Sequence, residues 1–246
     1  MNIEIIKCLT DNYSYLVIDS NKNALVVDPS EAKPIIEIIE NKKLNLKFIL
    51  NTHHHFDHVG GNNDLKNKYS AKILGYKNDK DRIPGIDIFL TDNEIWESGE
   101  FKAKIIFIPG HTSGHIAFHF YENKFLFSGD TLFSLGCGRI FEGTTKDMFD
   151  SLNKIKSLPK ETKVELEMLL EDLQFQSKAP KKVCRYILGS QSIRETAEGD
   201  SLLITICQEW KCQERRQTIT FVVYFILWGF FSLASVATRQ SSCNLF

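Results

Sequence analysis

Thr52-His53-His54-His55-Phe56-Asp57-His58 is the stretch from which the fold and chemistry of this chain can be inferred. It follows an apolar run, Phe48-Ile49-Leu50, that is typical of a buried strand. Because side chains alternate faces along extended backbone, His53, His55 and Asp57 can project to one side, while His54 is expected to face solvent. Imidazole nitrogen and carboxylate oxygen suit Zn²⁺, and also Fe²⁺ or Mn²⁺. The stretch therefore predicts a metal-binding loop at a strand end.

Two later segments repeat this arrangement of an apolar run followed by ligand-type residues. Pro109-Gly110-His111-Thr112-Ser113-Gly114-His115 follows residues 105–108, and Ser128-Gly129-Asp130-Thr131 follows residues 124–127. If the three strand ends meet, they supply enough ligands for two adjacent metals bridged by one carboxylate. The predicted metal ligands are His53, His55, Asp57, His58, His111 and Asp130.

The composition is that of an ordinary globular protein, with 43% hydrophobic and 25% charged residues in 246. A net charge of −1 provides no basic field for nucleic acid, so no nucleic-acid partner is expected. The six cysteines lack paired zinc-ribbon spacing, and the first residues lack a signal-peptide pattern. A reducing, cytoplasmic setting is therefore expected, and nothing in the sequence points to an oligomeric state.

The order of predicted elements favours a layered α/β (α+β) domain. Strands are predicted at 2–8, 13–18, 24–27, 47–50, 101–108, 115–121 and 124–128, and helices near 31–41 and 62–69. Thr144 and Asp147 have the spacing of a capping box, so a further helix is expected to begin there. Asp28, which precedes Pro29, is interpreted as a turn residue, with a role behind the metal ligands as the alternative.

Over about residues 1–163 the chain resembles the glyoxalase II (hydroxyacylglutathione hydrolase) branch of the metallo-β-lactamase superfamily. The resemblance lies in Cys8–Leu16, Val27-Asp28-Pro29, Thr52–His58, Pro109–His115, Gly129–Phe133 and the loop Gly136-Cys137-Gly138-Arg139-Ile140-Phe141-Glu142-Gly143. The histidine block marks the superfamily, and the glycine-punctuated loop points to the thioesterase branch. The resemblance implies a four-layer αββα sandwich with its metals at one edge of the two sheets.

The resemblance also implies a specific role for each of the site residues. His53, His55 and His111 would hold a first metal, Asp57 and His58 a second, and Asp130 would bridge them. A bridging hydroxide would hydrolyse S-lactoylglutathione, or another S-2-hydroxyacylglutathione, to a 2-hydroxy acid and glutathione. Asp57 and Asp130 are therefore the predicted catalytic residues and two Zn²⁺ the expected cofactors, with Fe or Mn as alternatives. Arg139 and Phe141 are the predicted contacts to the glutathione thioester, although Arg139 could instead pair with Glu142.

The chain departs from the family pattern after Thr162-Lys163-Val164, where the family continues with a segment whose histidine completes the second metal site. Here Glu165-Leu166-Glu167 follows, and no histidine occurs after His119. The second site is thus one ligand short, Glu165, Glu167 or water are candidate replacements, and reduced activity is expected. The open alternatives to the hydrolase are a one-iron enzyme similar to persulfide dioxygenases and a decayed, non-catalytic metal-binding relative.

The composition also changes at this point, which predicts a domain boundary between 1–163 and a divergent, partly helical segment 164–246. Residues 1–163 contain 14 of the 15 asparagines, and five of the seven arginines come after them. Leucines from Leu166 to Leu173 recur at helical spacing. Residues 219–237 are apolar and long enough to cross a bilayer as a helix. A membrane anchor, an out-of-frame sequence and a buried core helix are the three interpretations of this run.

Overall fold

The computed structural model describes residues 1–133 and 136–165 with their side chains, and the backbone of five later strands. The strands of the first part are β1 Asn2–Cys8, β2 Asn12–Ile18, β3 Asn23–Val27, β4 Asn45–Leu50, β5 Lys72–Tyr76, β6 Ile88–Leu90, β7 Ile95–Ser98, β8 Phe101–Phe107, β9 Ile116–Phe120, β10 Phe125–Phe127 and β11 Lys163–Glu165. The helices are α1 Lys33–Lys42, α2 Phe56–Val59, α3 Asn62–Tyr69 and α4 Thr145–Lys156. The later strands are β12 Tyr186–Ile187, β13 Ser192–Glu198, β14 Ser201–Cys212, β15 Gln217–Trp228 and β16 Phe231–Gln240.

The strands of the first part form two mixed sheets. The first sheet has the order β1-β2-β3-β4-β5-β6, and its strands run parallel from β3 onward. The second has the order β12-β11-β10-β9-β8-β7, in which only the β10–β11 pair is parallel. The second sheet continues past the boundary predicted at 163, because β11 pairs with β10 through Glu165 and β12 pairs with β11.

Three apolar cores separate four layers. On β3, Leu25 and Val27 face the second sheet, whereas Ala24 and Val26 face the opposite way, toward Ile35 and Ile39 of α1. The central core contains residues of both sheets, among them Tyr15, Leu25, Phe101, Phe118 and Phe127. On the outer face of the second sheet, Ile106, Ala117 and Leu126 pack against Met148, Leu152 and Ile155 of α4. The predicted αββα sandwich is confirmed.

The capping box predicted at Thr144 is present. The Thr144 side chain accepts a hydrogen bond from the Asp147 backbone N–H, and the Asp147 carboxylate accepts one from the Thr144 backbone N–H. These bonds satisfy donors that would be left free at the first turn of α4. The capping box places the start of α4 at Thr144, so the loop 136–143 ends directly before this helix.

The helical interpretations of 219–237 are wrong. Residues 217–228 and 231–240 form β15 and β16, an antiparallel pair in a sheet of order β13-β14-β15-β16. Apolar length does not distinguish helix from strand, and this run is rich in Val, Ile, Phe and Tyr, which prefer extended backbone. The helix predicted between Leu166 and Leu173 lies outside the described residues. Within the part of the chain that is described, no helix has the length and apolar character needed to span a bilayer.

Candidate metal centre

The three ligand-bearing loops meet at one edge of the two sheets. The loop after β4 carries His53, the segment after β8 carries His111, and the segment after β10 carries Asp130. A backbone hydrogen bond of 2.9 Å from the Ile116 N–H to the Thr52 carbonyl ties the first loop to the second sheet. Gly129 has a φ of +45°, and a Cβ there would lie 2.4 Å from Thr52 Oγ1. Glycine thus permits the close approach that brings Asp130 to the histidines.

Three histidine side chains form the centre of the cluster. One ring nitrogen of each of His53, His55 and His111 lies within 4.8 Å of the others. His111 Nε2 is 2.9 Å from His55 Nδ1, and buried His53 Nε2 has no hydrogen-bond partner among the described residues. A buried imidazole nitrogen without a partner costs free energy unless a cation or a donor uses its lone pair. The donors and spacing of this group therefore fit a metal ion.

Asp130 spans this group and a second one. Its Oδ2 lies 3.3 Å from His111 Nε2, and its Oδ1 lies 3.2 Å from His58 Nε2. Asp57 reaches the same place from the other side, with Oδ2 3.7 Å from His58 Nε2 and held by the Asn12 amide at 3.0 Å. All six residues predicted as ligands are thus assembled in one cluster.

Partners behind the histidines determine which ring nitrogen faces the centre. The Thr52 hydroxyl donates its proton to Asp28 Oδ2 at 2.6 Å, so it can only accept from His53 Nδ1 at 3.1 Å. His111 Nδ1 donates to the Arg139 carbonyl at 2.6 Å. Nε2 of His53 and of His111 therefore carries the lone pair that a metal ligand needs.

Burial and neighbouring charges set the protonation of the cluster. Burial lowers the pKa of His53 well below its usual value, and the neighbouring histidines lower it further, so the ring is neutral and able to bind a cation. Burial alone would lower the pKa of His58, but contacts with Asp130 and Asp28 raise it well above the usual value. Although burial opposes ionisation, His58 and His111 lower the pKa of Asp130 to about 2. Asp130 is therefore ionised at neutral pH.

Asp28 has a larger role than a turn residue. It is fully buried, its Oδ1 accepts from the Thr52 backbone N–H at 2.8 Å, and its Oδ2 lies 3.1 Å from His58 Nδ1. The carboxylate thus orients His58 directly and His53 through Thr52. The sequence contains a signal for this role, because Asp28 directly follows β3, just as the predicted metal ligands follow their strands.

The glycine-punctuated loop covers one side of the cluster. The Phe141 ring lies 5.5 Å from the His55 ring and 5.3 Å from the His111 ring, and it is 57% exposed. The Arg139 guanidinium lies 5.7 Å from the centre of the Phe141 ring. Burial raises the pKa of Cys137 to about 11, so its thiol is protonated at neutral pH and is a poor nucleophile.

One sequence expectation and one alternative about polar side chains near this loop are wrong. His54 does not face solvent: its side chain is 16% exposed and lies 3.4 Å from carboxylate oxygens of both Asp79 and Glu142. Glu142 does not pair with Arg139 but with Arg82, at 2.8 Å. Residues 79 and 82 follow β5, a part of the chain where the sequence contains turn signals and no ligand motif, so their place at the site was missed.

Gly138→Ala is expected to disturb both stability and metal binding. An added Cβ would lie 2.0 Å from the Asp130 carbonyl oxygen and 2.9 Å from His111 Nδ1, so the Asp130 backbone and the His111 ring must move. Urea unfolding should show a loss of about 2 kcal/mol, as expected for an overpacked site. Metal content measured after dialysis should fall as well.

Gly99→Ala is the control for this substitution. Its Cβ would meet nothing within 4 Å, while its φ of +59° still imposes backbone strain. It should cost about 1 kcal/mol of stability and leave metal content unchanged. Equal metal loss in both variants would contradict a specific role for the close approach at Gly138.

Comparison with protein families agrees with this geometry. Residues 10–164 match the model of the metallo-beta-lactamase superfamily. A hydroxyacylglutathione hydrolase of Pelagibacter ubique is 62% identical over 165 residues, which cover 67% of this chain and 69% of that protein. A hydroxyacylglutathione hydrolase of Methylococcus capsulatus is 48% identical over 160 residues, covering 65% of this chain and 62% of that protein.

Solved structures show the same fold at lower identity. The B3 metallo-beta-lactamase BLEG-1 superposes with a TM-score of 0.62 at 26% identity, over 66% of this chain and 90% of that one. ETHE1 from Myxococcus xanthus gives a TM-score of 0.64 at 22% identity, over 76% of this chain and 80% of that one.

Proposed function

Because this chain belongs to the metallo-beta-lactamase superfamily and, within it, to the hydroxyacylglutathione hydrolases, we propose that it hydrolyses S-2-hydroxyacylglutathione thioesters. The proposed substrate is S-lactoylglutathione, and the products are lactate and glutathione. The substrate is a small molecule, and the chain acts as a hydrolase.

The position of Asp130 is the observation that carries this proposal. Its two oxygens lie 3.2 Å from His58 Nε2 and 3.3 Å from His111 Nε2, so one carboxylate serves both halves of the cluster. An arrangement of this kind can hold two cations close together beside the scissile carbonyl, as in two-metal hydrolytic sites. Asn12 holds Asp57 on the open side of the cluster, which supports a role for Asp57 at the water-accessible face.

The donor set supports Zn²⁺ as the proposed metal. His53, His55 and His111 would hold the first ion, and Asp57 and His58 the second, with Asp130 shared between them. Bound there, zinc would lower the pKa of water toward about 7 and stabilise the oxyanion that develops on the thioester carbonyl. The thiolate of glutathione leaves without protonation, so the chain needs no separate general acid.

Arg139 and Phe141 are the proposed contacts to the glutathione part of the substrate. Because Glu142 pairs with Arg82, the Arg139 guanidinium has no carboxylate within ion-pair distance in the described part of the chain. It is therefore available for a carboxylate of glutathione. The exposed Phe141 ring beside the histidines offers an apolar surface for the thioester arm.

Thioester hydrolysis by the wild-type chain and by His55→Ala tests the proposal. Loss of thioester absorbance should be rapid with the wild type and at least about a hundredfold slower with the variant, because a ligand at the reacting centre is lost. His119→Gln is the control, since His119 lies on β9 away from the cluster. Equal rates for wild type and His55→Ala would reject catalysis at this site.

Two other outcomes would favour the alternatives to a hydrolase. One bound iron per chain with oxygen uptake would indicate a dioxygenase, and bound metal without turnover would indicate a decayed relative.

The two metal positions are expected to differ in affinity. The first has three histidine ligands, whereas the second has one histidine and two carboxylates, and no histidine occurs after His119. Dialysis against increasing chelator should therefore release one ion per chain well before the other, as measured by elemental analysis. Release of both ions at the same chelator concentration would contradict unequal sites.

We propose that residues 1–163 form the catalytic domain and that 164–246 are a divergent segment, of which the end of β11 and β12 extend the second sheet. The match to the family model ends at residue 164, which supports this division. Removal of residues after the second sheet should then leave the metal cluster assembled.

A further inference from the structure

An ion-pair cluster lies beside the metal centre, and it is called the clasp below. It consists of Asp79, Arg82, Glu142 and His54. Arg82 Nη1 donates to both oxygens of Glu142, at 2.8 and 2.9 Å, and Nη2 donates to Asp79 Oδ1 at 2.5 Å. The His54 ring lies between the two carboxylates, with one nitrogen 3.4 Å from each. One guanidinium thus joins two carboxylates around a histidine.

The clasp and its hydrogen bonds to Ser113 connect four segments that are distant in sequence. Asp79 and Arg82 follow β5, His54 belongs to the metal-binding loop, and Glu142 belongs to the loop 136–143. The fourth segment contributes Ser113, whose backbone N–H and hydroxyl donate to Glu142 Oε2 at 2.8 and 2.7 Å. Glu142 thus adds a side-chain attachment between the loop 136–143 and the segment that carries His111, beside the backbone bonds from Phe141 N–H to the His111 carbonyl and from Gly143 N–H to the Gly110 carbonyl.

The carboxylates of Asp79 and Glu142 are stabilised by the cation and the hydrogen-bond donors beside them. Asp79 is fully buried, and a Cβ on Gly114 would lie 2.0 Å from its Oδ1, so Asp79 is packed against the segment that carries His111. A buried charge of this kind is costly without a paired cation. Although burial opposes ionisation of Glu142, bonds from Ser113 and Arg82 lower the pKa of Glu142 to about 2. Glu142 is therefore ionised at neutral pH.

The loop fastened by the clasp carries the proposed substrate contacts. Phe141 precedes Glu142 directly, and its ring lies beside those of His55 and His111. Backbone bonds from Gly138 N–H to the Asp130 carbonyl and from Phe141 N–H to the His111 carbonyl hold the inner side of the loop. The clasp holds its outer side. A change at Glu142 should thus shift the side chains of Phe141 and Arg139 while the backbone bonds next to the metal ligands remain.

We propose that Arg82 and Glu142 are positioning residues for recognition of the glutathione part of the substrate. The clasp holds the loop 136–143 so that Arg139 and Phe141 face the glutathione arm, and it does not take part in the chemical step. This role rests on the proposed function. Arg82 also pairs with buried Asp79, whereas Glu142 is 30% exposed and contacts Arg82, Ser113 and the His54 ring.

Kinetics of Glu142→Gln with two substrates test this role. For S-lactoylglutathione, KM should rise about tenfold, the effect of losing charge-assisted hydrogen bonds, while kcat stays within about twofold. For S-lactoyl-N-acetylcysteamine, which lacks the glutathione carboxylates, kcat/KM should be unchanged. A general structural defect would instead lower kcat/KM for both thioesters. Such a parallel loss, or a fall in kcat at constant KM, would overturn the proposal.

Arg82→Lys is the second variant. Lysine keeps a positive charge for buried Asp79 but cannot hold both carboxylates with one planar group. Its KM for S-lactoylglutathione should rise as in Glu142→Gln, and the double variant should be no worse than the more severe single one. Additive effects would contradict action through one clasp. Lys66→Gln is the matched control, because Lys66 forms a similarly exposed pair with Asp87 at 2.7 Å outside the site. It should leave KM unchanged.

Calorimetric titration with S-methylglutathione separates this proposal from the proposed function. This thioether has no scissile bond, so its binding is measured without turnover. Binding about tenfold weaker to Glu142→Gln than to the wild type, at equal metal content, would support the clasp even if no thioester is hydrolysed. Equal affinities would overturn the positioning role while leaving hydrolysis intact. No binding to the wild type would overturn both.

Discussion

Asp130→Asn is expected to lower kcat/KM for S-lactoylglutathione by about a thousandfold. Asparagine keeps the size of the side chain but removes the charge that lies 3.2 Å from His58 Nε2 and 3.3 Å from His111 Nε2. The amide can offer an oxygen to only one half of the cluster and turns an N–H₂ group toward the other. Initial rates at saturating metal measure the effect, and elemental analysis should show loss of metal as well.

Asp150→Asn is the control for this substitution. Asp150 is an exposed residue of α4 that pairs with Lys146, so its variant should retain the wild-type rate and metal content. Retention of more than a tenth of the wild-type rate by Asp130→Asn, with normal metal content, would show that Asp130 does not act at the reacting centre.

Asp28→Asn is expected to weaken metal binding by about 10- to 100-fold, although Asp28 is not a predicted ligand. The buried carboxylate accepts from the Thr52 N–H, the Thr52 hydroxyl and His58 Nδ1. An asparagine N–H₂ group would face at least one of these donors. The Thr52 hydroxyl or the His58 ring must then reverse its role, and the lone pair of His53 Nε2 or His58 Nε2 is no longer directed at the centre. Competition with a chromophoric chelator measures the affinity.

Asp92→Asn is the matched control for the Asp28 variant. Asp92 also accepts a backbone hydrogen bond, from the Phe107 N–H at 2.7 Å, but it contacts no histidine of the cluster. It should leave metal affinity unchanged. A metal affinity of Asp28→Asn within twofold of the wild type would mean that the hydrogen bonds that Asp28 accepts from Thr52 and His58 do not orient the ligands.

The main elements of the domain could be predicted because their signals are local. Alternation of side chains along β3 assigns its two faces to two cores, and the capping box at Thr144 is visible from two residues three positions apart. The helical interpretation of the apolar run 219–237 also relies on a local signal, the length of the run. Its length fits a membrane-spanning helix, but its β-branched and aromatic residues fit strands equally well. The structure decides for strands, because the two halves of the run pair with each other and β15 also pairs with β14 outside it.

The sequence alone determined the fold class and the six residues that assemble at the sheet edge, because each follows an apolar strand and strand ends of a layered fold meet. Tertiary structure decided which nitrogen each histidine presents, that Asp28 lies behind His58, and that Glu142 pairs with Arg82 rather than with nearby Arg139. Apart from the bond between the neighbours Thr52 and His53, these choices depend on partners 24 to 60 positions apart. Periodicity and spacing report on neighbours along the backbone, whereas a hydrogen bond or an ion pair depends on distance in space.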